Sequence, residues 1–138
     1  MNIILFGPPG AGKGTQADNI TKSFNLHKVS SGDLLRKEIL METDLGNQIK
    51  NIIEKGSFVP DKNINNLVER ILSDKKYYNR IIFDGYPRNL EQAKNLDLLV
   101  EKYDQRISCV LSLNVDKKLI IKRISGRQIC TKCGLVFN

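Results

Sequence analysis

The sequence predicts an α/β fold, a parallel sheet with helices on both faces, and three observations predict it. A glycine-rich segment, Gly7-Pro8-Pro9-Gly10-Ala11-Gly12-Lys13-Gly14-Thr15, directly follows the apolar run Ile3-Ile4-Leu5-Phe6. Short strand-like runs alternate with helical patterns along the chain, the mark of β-α repetition and of strands paired in parallel. The 138 residues, 41% of them apolar, are enough for one compact domain with a real core.

The first strand reads as Asn2–Phe6. Glycines in the loop after it let the backbone turn with positive φ and approach a polyphosphate closely, and the helix that begins here adds its positive dipole end. The spacing fits G-x-x-x-x-G-K, so Lys13 is placed to reach the β- and γ-phosphates of a triphosphate. Gly14 holds the usual Ser/Thr place and the hydroxyl arrives one residue later, at Thr15. Ala17, Ile20 and Phe24 recur at helical spacing and predict the helix that a phosphate loop needs.

A second strand is read at Leu26–Val29, and Ser30 to Asp33 has capping-box-like spacing ahead of a helix through about Leu40. Leu45, Ile49, Ile52 and Ile53 mark another helix, ended by Gly56. Asp61 is placed to cap a third, carrying Ile64, Leu67, Val68, Ile71 and Leu72. Strands at Arg80–Phe83 and Ser108–Asn114 and helices at about Leu90–Tyr103 and Asp116–Ser125 complete the core. Three helices between the second and third strands exceed what one crossover needs, so Ser30 to about Val59 is read as a helical insertion standing off the sheet edge. The chain has no internal repeat, low-complexity tract or flexible linker.

Net charge is +7, and the pI is near 9.4. The lysines are scattered, with no basic run interleaved with aromatics, so the charge is read as solvated lysines plus arginines gathered around an anionic nucleotide rather than as a nucleic-acid surface. Apolar runs stop at four or five residues, and no apolar leader follows a basic start; neither a membrane span nor a signal segment is expected, and a cytoplasmic location is. Three cysteines, one isolated and two as Cys130-Thr131-Lys132-Cys133, do not form a secreted disulfide framework. Cys109, in an apolar strand, reads as a buried core residue. His27, the only histidine, belongs to no metal or base constellation and is read as structural or surface.

Two further segments carry chemistry. Ile81-Ile82-Phe83-Asp84-Gly85-Tyr86-Pro87-Arg88 is a strand delivering an acid at its carboxyl end, where a phosphate-loop protein commonly holds Mg²⁺ directly or through water. Gly85 would let the backbone approach a ligand, Pro87 would stiffen the turn, and Arg88 would offer a planar fork to a phosphate. In Ser30-Ser31-Gly32-Asp33-Leu34-Leu35-Arg36 a hydroxyl and an arginine one helical turn apart are placed to meet the base and phosphate of a second nucleotide.

The G-x-P-G-x-G-K-G-T loop, S-G-D-x-L-R from Ser31, and D-G-Y-P-R from Asp84 followed by Gln92 together resemble adenylate kinase, over essentially the whole chain. The resemblance implies three parts: a parallel-sheet core at 1–29 and 60–125, a mobile arm for a nucleoside monophosphate at 30–59, and the start of a lid over ATP at 126–138. It implies reversible transfer of the γ-phosphoryl group of ATP to AMP, giving two ADP, in adenine nucleotide homeostasis, with a monomer as the working unit. Gly10, Ala11, Gly12, Lys13, Gly14 and Thr15 would hold ATP phosphates, and Asp84 and Thr15 would organise Mg²⁺ through water. AMP would touch Ser31, Arg36, Ser57, Phe58, Val59, Gly85, Tyr86, Pro87, Arg88 and Gln92, the last reading the adenine edge. Ser31 stands where the family frequently has Thr.

Arg123 and Arg127, at the end of the helix beginning near Asp116, resemble the family's arginines that cover adenine and neutralise ATP phosphates; compensation of the helix dipole is a structural reading of the same residues. Lys13, Arg36, Arg88, Arg123 and Arg127 are thus the expected catalytic set. Gln128 follows where the family often has a second arginine. Cys130-x-x-Cys133-Gly134 resembles the first knuckle of the zinc-bearing lid of many bacterial members, although the spacing alone also suits a redox pair or two uninvolved thiols. Val136 and Phe137 would lie beside ATP. The second half of the zinc site, the later lid arginines and the last core strand lie beyond Asn138. A nucleotide-binding fragment with little activity, or a kinase for another nucleoside monophosphate, are the alternative expectations.

Overall fold

Successive residues of a strand point to opposite faces of a sheet, and that alternation sorts the core into two layers. The computed structural model describes residues 1–126, 128–129 and 136–137. In it β1 (Asn2–Phe6), β2 (His27–Ser30), β3 (Ile81–Asp84) and β4 (Ile107–Ser112) form a parallel sheet in the order β2-β3-β1-β4. Ile4, Val29, Ile81 and Phe83 join Ile64, Val68 and Leu72 of α4 (Asp61–Ser73) and Leu96, Leu99 and Val100 of α5 (Leu90–Lys102) in the larger core. On the other face Ile3, Leu5 and Ile82 pack with Ala17 of α1 (Lys13–Phe24). The predicted class, with helices on both faces, is what the chain forms. Among the described residues, no helix is long and apolar enough to cross a membrane.

Between β2 and β3 lie α2 (Ser31–Leu40), α3 (Asp44–Glu54), α4 and a short 3₁₀ turn (Lys75–Tyr77); α6 (Lys117–Ser125) follows β4, and β5 (Gln128–Ile129) pairs antiparallel with β6 (Val136–Phe137). Side-chain caps start most of the helices. Ser30 accepts from the Asp33 N–H at 3.5 Å, Thr43 from Gly46 at 2.9 Å, Asn89 from Gln92 at 2.8 Å and Asp116 from Lys118 at 2.8 Å. Each such cap stabilises by about 1 kcal/mol. Asp61 departs from its expected role. Pro60 is the capping residue, Asp61 is the first residue inside α4, and its carboxylate turns to α5 instead, taking N–H donors from Asn89 and Gln92.

Cys109 is also corrected: it is exposed, as are Val110 and Leu111. An apolar run reads as a central strand, but β4 is an edge of the sheet, and past Ile107, which packs against the larger core, its residues are exposed. His27 is exposed and stacks on Tyr77 with ring centroids 4.1 Å apart, in keeping with a structural or surface role.

The predicted helical insertion is built on backbone contact. A Cβ at Gly46 of α3 would stand 2.1 Å from the Glu38 carbonyl oxygen and 3.1 Å from Ile39 Cα of α2. The Glu38 carboxylate, almost wholly buried, accepts from the Thr43 hydroxyl at 2.7 Å and from Arg70 of α4 at 3.3 Å, tying three helices together. At the opposite end of the sheet Asn2, fully buried, accepts from the Ile81 N–H at 3.0 Å and donates to Gln105 at 3.0 Å, which donates in turn to the Leu72 carbonyl at 2.7 Å.

Two outcomes follow for the fold. Gly46→Ala should destabilise the chain by about 1–3 kcal/mol in urea unfolding through overpacking, against the gain of about 1 kcal/mol that helix propensity alone gives Ala over Gly; a stabilised variant would refute the close contact. Cys109 in the native chain should react with a thiol reagent at the rate of a free thiol, so Cys109→Ser should remove one fast-reacting equivalent.

Candidate functional site

Parallel pairing places the carboxyl ends of three strands side by side, with Asp84 of β3 opposite Leu5 of β1 on one side and Ser30 of β2 on the other. The chain leaves β1 into the phosphate loop, β2 into α2, and β3 into the turn Gly85–Arg88. Three sequence-distant segments therefore share one edge.

In the loop Gly10 and Gly12 have φ of +79° and +89°, the left-handed region that favours glycine. Gly12 precedes α1 with no side-chain cap, and the Gln16 N–H takes the Gly12 carbonyl at 3.0 Å. The N–H groups of Lys13, Gly14 and Thr15 come before that first turn closes, where a helix leaves donors for an anion. Lys13 Nζ donates to the carbonyls of Gly7 at 2.7 Å and Pro8 at 3.0 Å, so the ammonium lies folded over its own loop. From the far side of the loop, Arg123 of α6 donates through Nη1 to the Gly10 carbonyl at 3.3 Å, and a Cβ at Gly10 would stand 3.0 Å from Ile124 Cγ1, a tight contact. A hollow of about 440 Å³ lined by Leu119, Lys122, Arg123, Ser125 and Gly126 opens beside that arginine.

The Asp84 carboxylate lies against the start of α1, 4.0 Å from where a Cβ on Gly14 would be. Partial burial raises its pKa above the ordinary carboxyl value; the positive charges of Lys13 and Lys28 oppose that rise, and Asp33 and Asp18 add to it. Asp84 and the Thr15 hydroxyl are hard oxygen donors, the kind Mg²⁺ takes, and a half-buried carboxylate that pays for its charge gains from a cation beside it.

A second cluster forms at the foot of α2. The buried Ser31 hydroxyl donates to the Gly85 carbonyl at 2.9 Å and accepts from Arg88 Nη2 at 2.9 Å, while Arg88 Nε donates to the same carbonyl at 2.7 Å. Gly85 has φ +74° and the Tyr86–Pro87 bond is cis. The Tyr86 ring is core, its hydroxyl donating to Asn65 at 2.8 Å, so its side chain is held inside. Gln92 is buried as well: its Oε1 accepts from the Arg88 N–H at 2.7 Å and its Nε2 donates to Asp61 at 2.6 Å.

The structure thus brings the residues from Gly10 to Thr15 together with Asp84 and Arg123, and Ser31 together with Gly85, Arg88 and Gln92. It does not gather Arg36, which is exposed and paired with Asp33, or Phe58, which is fully in solvent; Val59 packs on the core. Arg127, Cys130 and Cys133 lie outside the described residues, and Val136 and Phe137 are described only as the backbone of β6. Among the described residues no group of three or more His, Cys, Asp or Glu is placed to hold a metal ion. Sequence reasoning missed the Asp61–Asn89 pair behind Gln92. The signal for half of it was present, since Asn89-x-x-Gln92 has capping-box spacing.

A glycine loop with its lysine at the head of a helix, an acid at the next strand end and arginines around them define a phosphate-loop nucleotide-binding protein. The family model for adenylate kinase matches residues 5–132, and the chain belongs to the adenylate kinase family. It is 52% identical over 138 residues to an adenylate kinase of Pelagibacter ubique, 44% over 139 residues to one of Mycoplasma capricolum and 42% over 138 residues to one of a Thermoanaerobacter species. Each comparison covers 100% of this chain and 65%, 64% and 64% of the relative, so the chain spans just under two thirds of the length of these proteins.

The raised pKa of Asp84 has a sign that can be tested. A carboxyl harder to ionise in the fold than in the unfolded chain penalises the native state above its folded pKa, and the penalty fades as pH falls through that value. Asp84→Asn should therefore raise the Tm of the ligand-free chain at neutral pH and flatten its change on mild acidification; a lowered Tm would contradict the burial argument.

Proposed function

We propose that this chain carries the catalytic core of an adenylate kinase, which transfers the γ-phosphoryl group of ATP to AMP and yields two ADP. One observation carries the reading: a loop built for polyphosphate and a separate hydroxyl–arginine cluster converge on one sheet edge, on either side of Asp84. Two phosphate-recognising clusters side by side suit a donor and an acceptor nucleotide. Membership of the adenylate kinase family supports the choice of ATP and AMP.

In this mechanism an oxygen of the AMP phosphate attacks the γ-phosphorus in line. The bond to the bridging oxygen breaks, and ADP leaves with the electron pair. Charge spreads over the equatorial oxygens, so the work of the protein is positioning and neutralisation. Lys13 exchanges the Gly7 and Pro8 carbonyls for phosphate oxygens, and the loop N–H groups from Gly10 to Thr15 hold the rest of the chain of phosphates. Arg88, fixed by Ser31 and Gly85, presents its guanidinium to the acceptor phosphate; Arg36 joins it by giving up Asp33. Arg123, with Arg127, faces the donor phosphates. Asp84 and Thr15 would hold Mg²⁺ through water, and the ion would supply neutralisation of phosphate charge.

Residues 1–29 and 60–125 act as the core, 30–59 as the AMP arm and 126–138 as the first part of a lid whose closure keeps water from accepting the phosphoryl group. Cys130 and Cys133 would supply two thiolates to a structural zinc ion, which would need two further ligands. The setting implied is a monomeric cytoplasmic enzyme of adenine nucleotide homeostasis, with adenine nucleotides as its partners.

The test is ADP formation from ATP, AMP and Mg²⁺ on this chain. ADP should appear only when AMP is present, with AMP preferred to CMP, UMP and GMP as acceptor. Lys13→Ala should lower the rate by about 10²–10³-fold or more, the scale of losing one preorganised charge-stabilising group, with an unchanged far-UV spectrum. AMP-independent hydrolysis, preference for another acceptor, or unaltered turnover in Lys13→Ala would overturn the reading.

A further inference from the structure

Behind the base-reading role proposed for Gln92 stands a residue with no role of its own so far, and the structure assigns it one: Asp61 sets the orientation of the Gln92 amide and thereby makes the acceptor site choose adenine over guanine. The inference rests on the adenylate kinase reading of Gln92.

A carboxamide has two flip states of nearly equal shape that exchange its oxygen and its NH₂, and only its partners tell them apart. Here both partners are one-way. The Asp61 carboxylate, 2.6 Å from Nε2, only accepts, and the Arg88 backbone N–H, 2.7 Å from Oε1, only donates. The flipped amide would set its oxygen against a carboxylate and its NH₂ against an N–H. Gln92 is 2% exposed, so water cannot compensate that state. The carboxylate is held in its turn. Asp61 is the first residue of α4, and its second oxygen accepts from Asn89 Nδ2 at 2.8 Å. Asn89 Oδ1 accepts from the Gln92 N–H at 2.8 Å, closing a ring of three residues across the starts of α4 and α5.

With these bonds made, the amide keeps one N–H and one lone pair, in a fixed left-to-right order. Adenine offers a ring nitrogen that accepts beside an amino group that donates; guanine offers a carbonyl that accepts beside a ring N–H that donates, in the reverse order along the same edge. An amide free to flip serves both bases, and a locked one serves one of them in a given pose. A site that fixes its polar groups discriminates because the wrong partner leaves them unpaired. Because Gln92 is covered in the ligand-free chain, a base reaches it only once the covering groups move aside. Asp61 is thus a positioning residue and contacts no nucleotide itself.

Asp61→Asn keeps the shape but can present either an oxygen or an NH₂ to Gln92, releasing one of the two locks. Calorimetric titration of AMP and GMP into the full chain should show AMP binding weakened about 5–10-fold, GMP binding held or improved, and the AMP:GMP preference reduced about tenfold, the scale of one net hydrogen bond. Asn89→Ala is the comparison. It removes the α5 cap and one bond to the Asp61 carboxylate, and it should lower Tm while moving the preference less than Asp61→Asn does, because the carboxylate still faces Gln92. Independently of any variant, NMR of the wild-type chain should show the two Gln92 side-chain amide protons unequal, one protected from exchange by the carboxylate. If wild type binds no AMP, the site reading itself fails and the inference with it. If wild type binds AMP but Asp61→Asn leaves the preference unmoved, or Asn89→Ala moves it equally, or the amide protons are equally unprotected, Asp61 has no part in specificity.

Discussion

The parallel register that sets Asp84 between Leu5 and Ser30 is the constraint on which the rest of the site depends. Parallel strands end together, so whatever the chain does after β1, β2 and β3 happens at one edge. A slip of one residue in β3 would turn Asp84 to the opposite face of the sheet and drive Phe83 into the layer that Ile82 fills. The core prevents it, because Ile81 and Phe83 fill one layer and Ile82 the other, all fully buried. Packing of unlike side chains in the two layers thus fixes the position of a charged group that takes no part in the core. The geometry of the candidate site in this chain is a by-product of how those layers fill.

Without a ligand, the charged groups of the site rest on the protein's own polar atoms. Lys13 sits on two loop carbonyls, Arg88 on the Gly85 carbonyl and the Ser31 hydroxyl, and Arg36 on Asp33. These are exchangeable contacts of modest net strength, since each replaces a comparable bond to water. They keep the cations near where phosphates would go without locking them there. Asp84 is the exception. Its pKa is raised because it is partly buried and its neighbouring cations do not fully compensate.

Much of this was legible in the sequence because it is local. The phosphate loop needs glycines and a lysine within nine residues, and Gly10 and Gly12 adopt the positive φ expected of such glycines, with Lys13 at the head of α1. Strand and helix limits fell within a residue or two, since period-two and period-3.6 patterns are strong here. What could not be read was non-local. Cys109 looks like core because its neighbours are apolar, but exposure depends on strand order, which places β4 at an edge. Asp61 looks like a helix cap because it stands just ahead of the periodic run Ile64, Leu67, Val68, Ile71 and Leu72, yet its partners Asn89 and Gln92 are remote in the chain. The approach of the α2 backbone to Gly46 is likewise non-local. Arg127 and the Cys130–Cys133 pair belong to a reading that the described residues do not reach.

The buried amides at the far end of the sheet have a consequence for how the molecule meets a changing environment. Asn2, Gln105 and the backbone groups of Ile81 and Leu72 join the starts of β1 and β3, the end of α4 and the lead-in to β4 by hydrogen bonds alone. None of these groups ionises, and buried neutral bonds are little affected by screening ions. The strand register is therefore anchored by chemistry indifferent to acidity and ionic strength, while Asp84, Lys13 and Arg88 stand at the opposite end of the strands. Acid or brine can detune the working end of this protein without loosening the hinge pin from which it hangs.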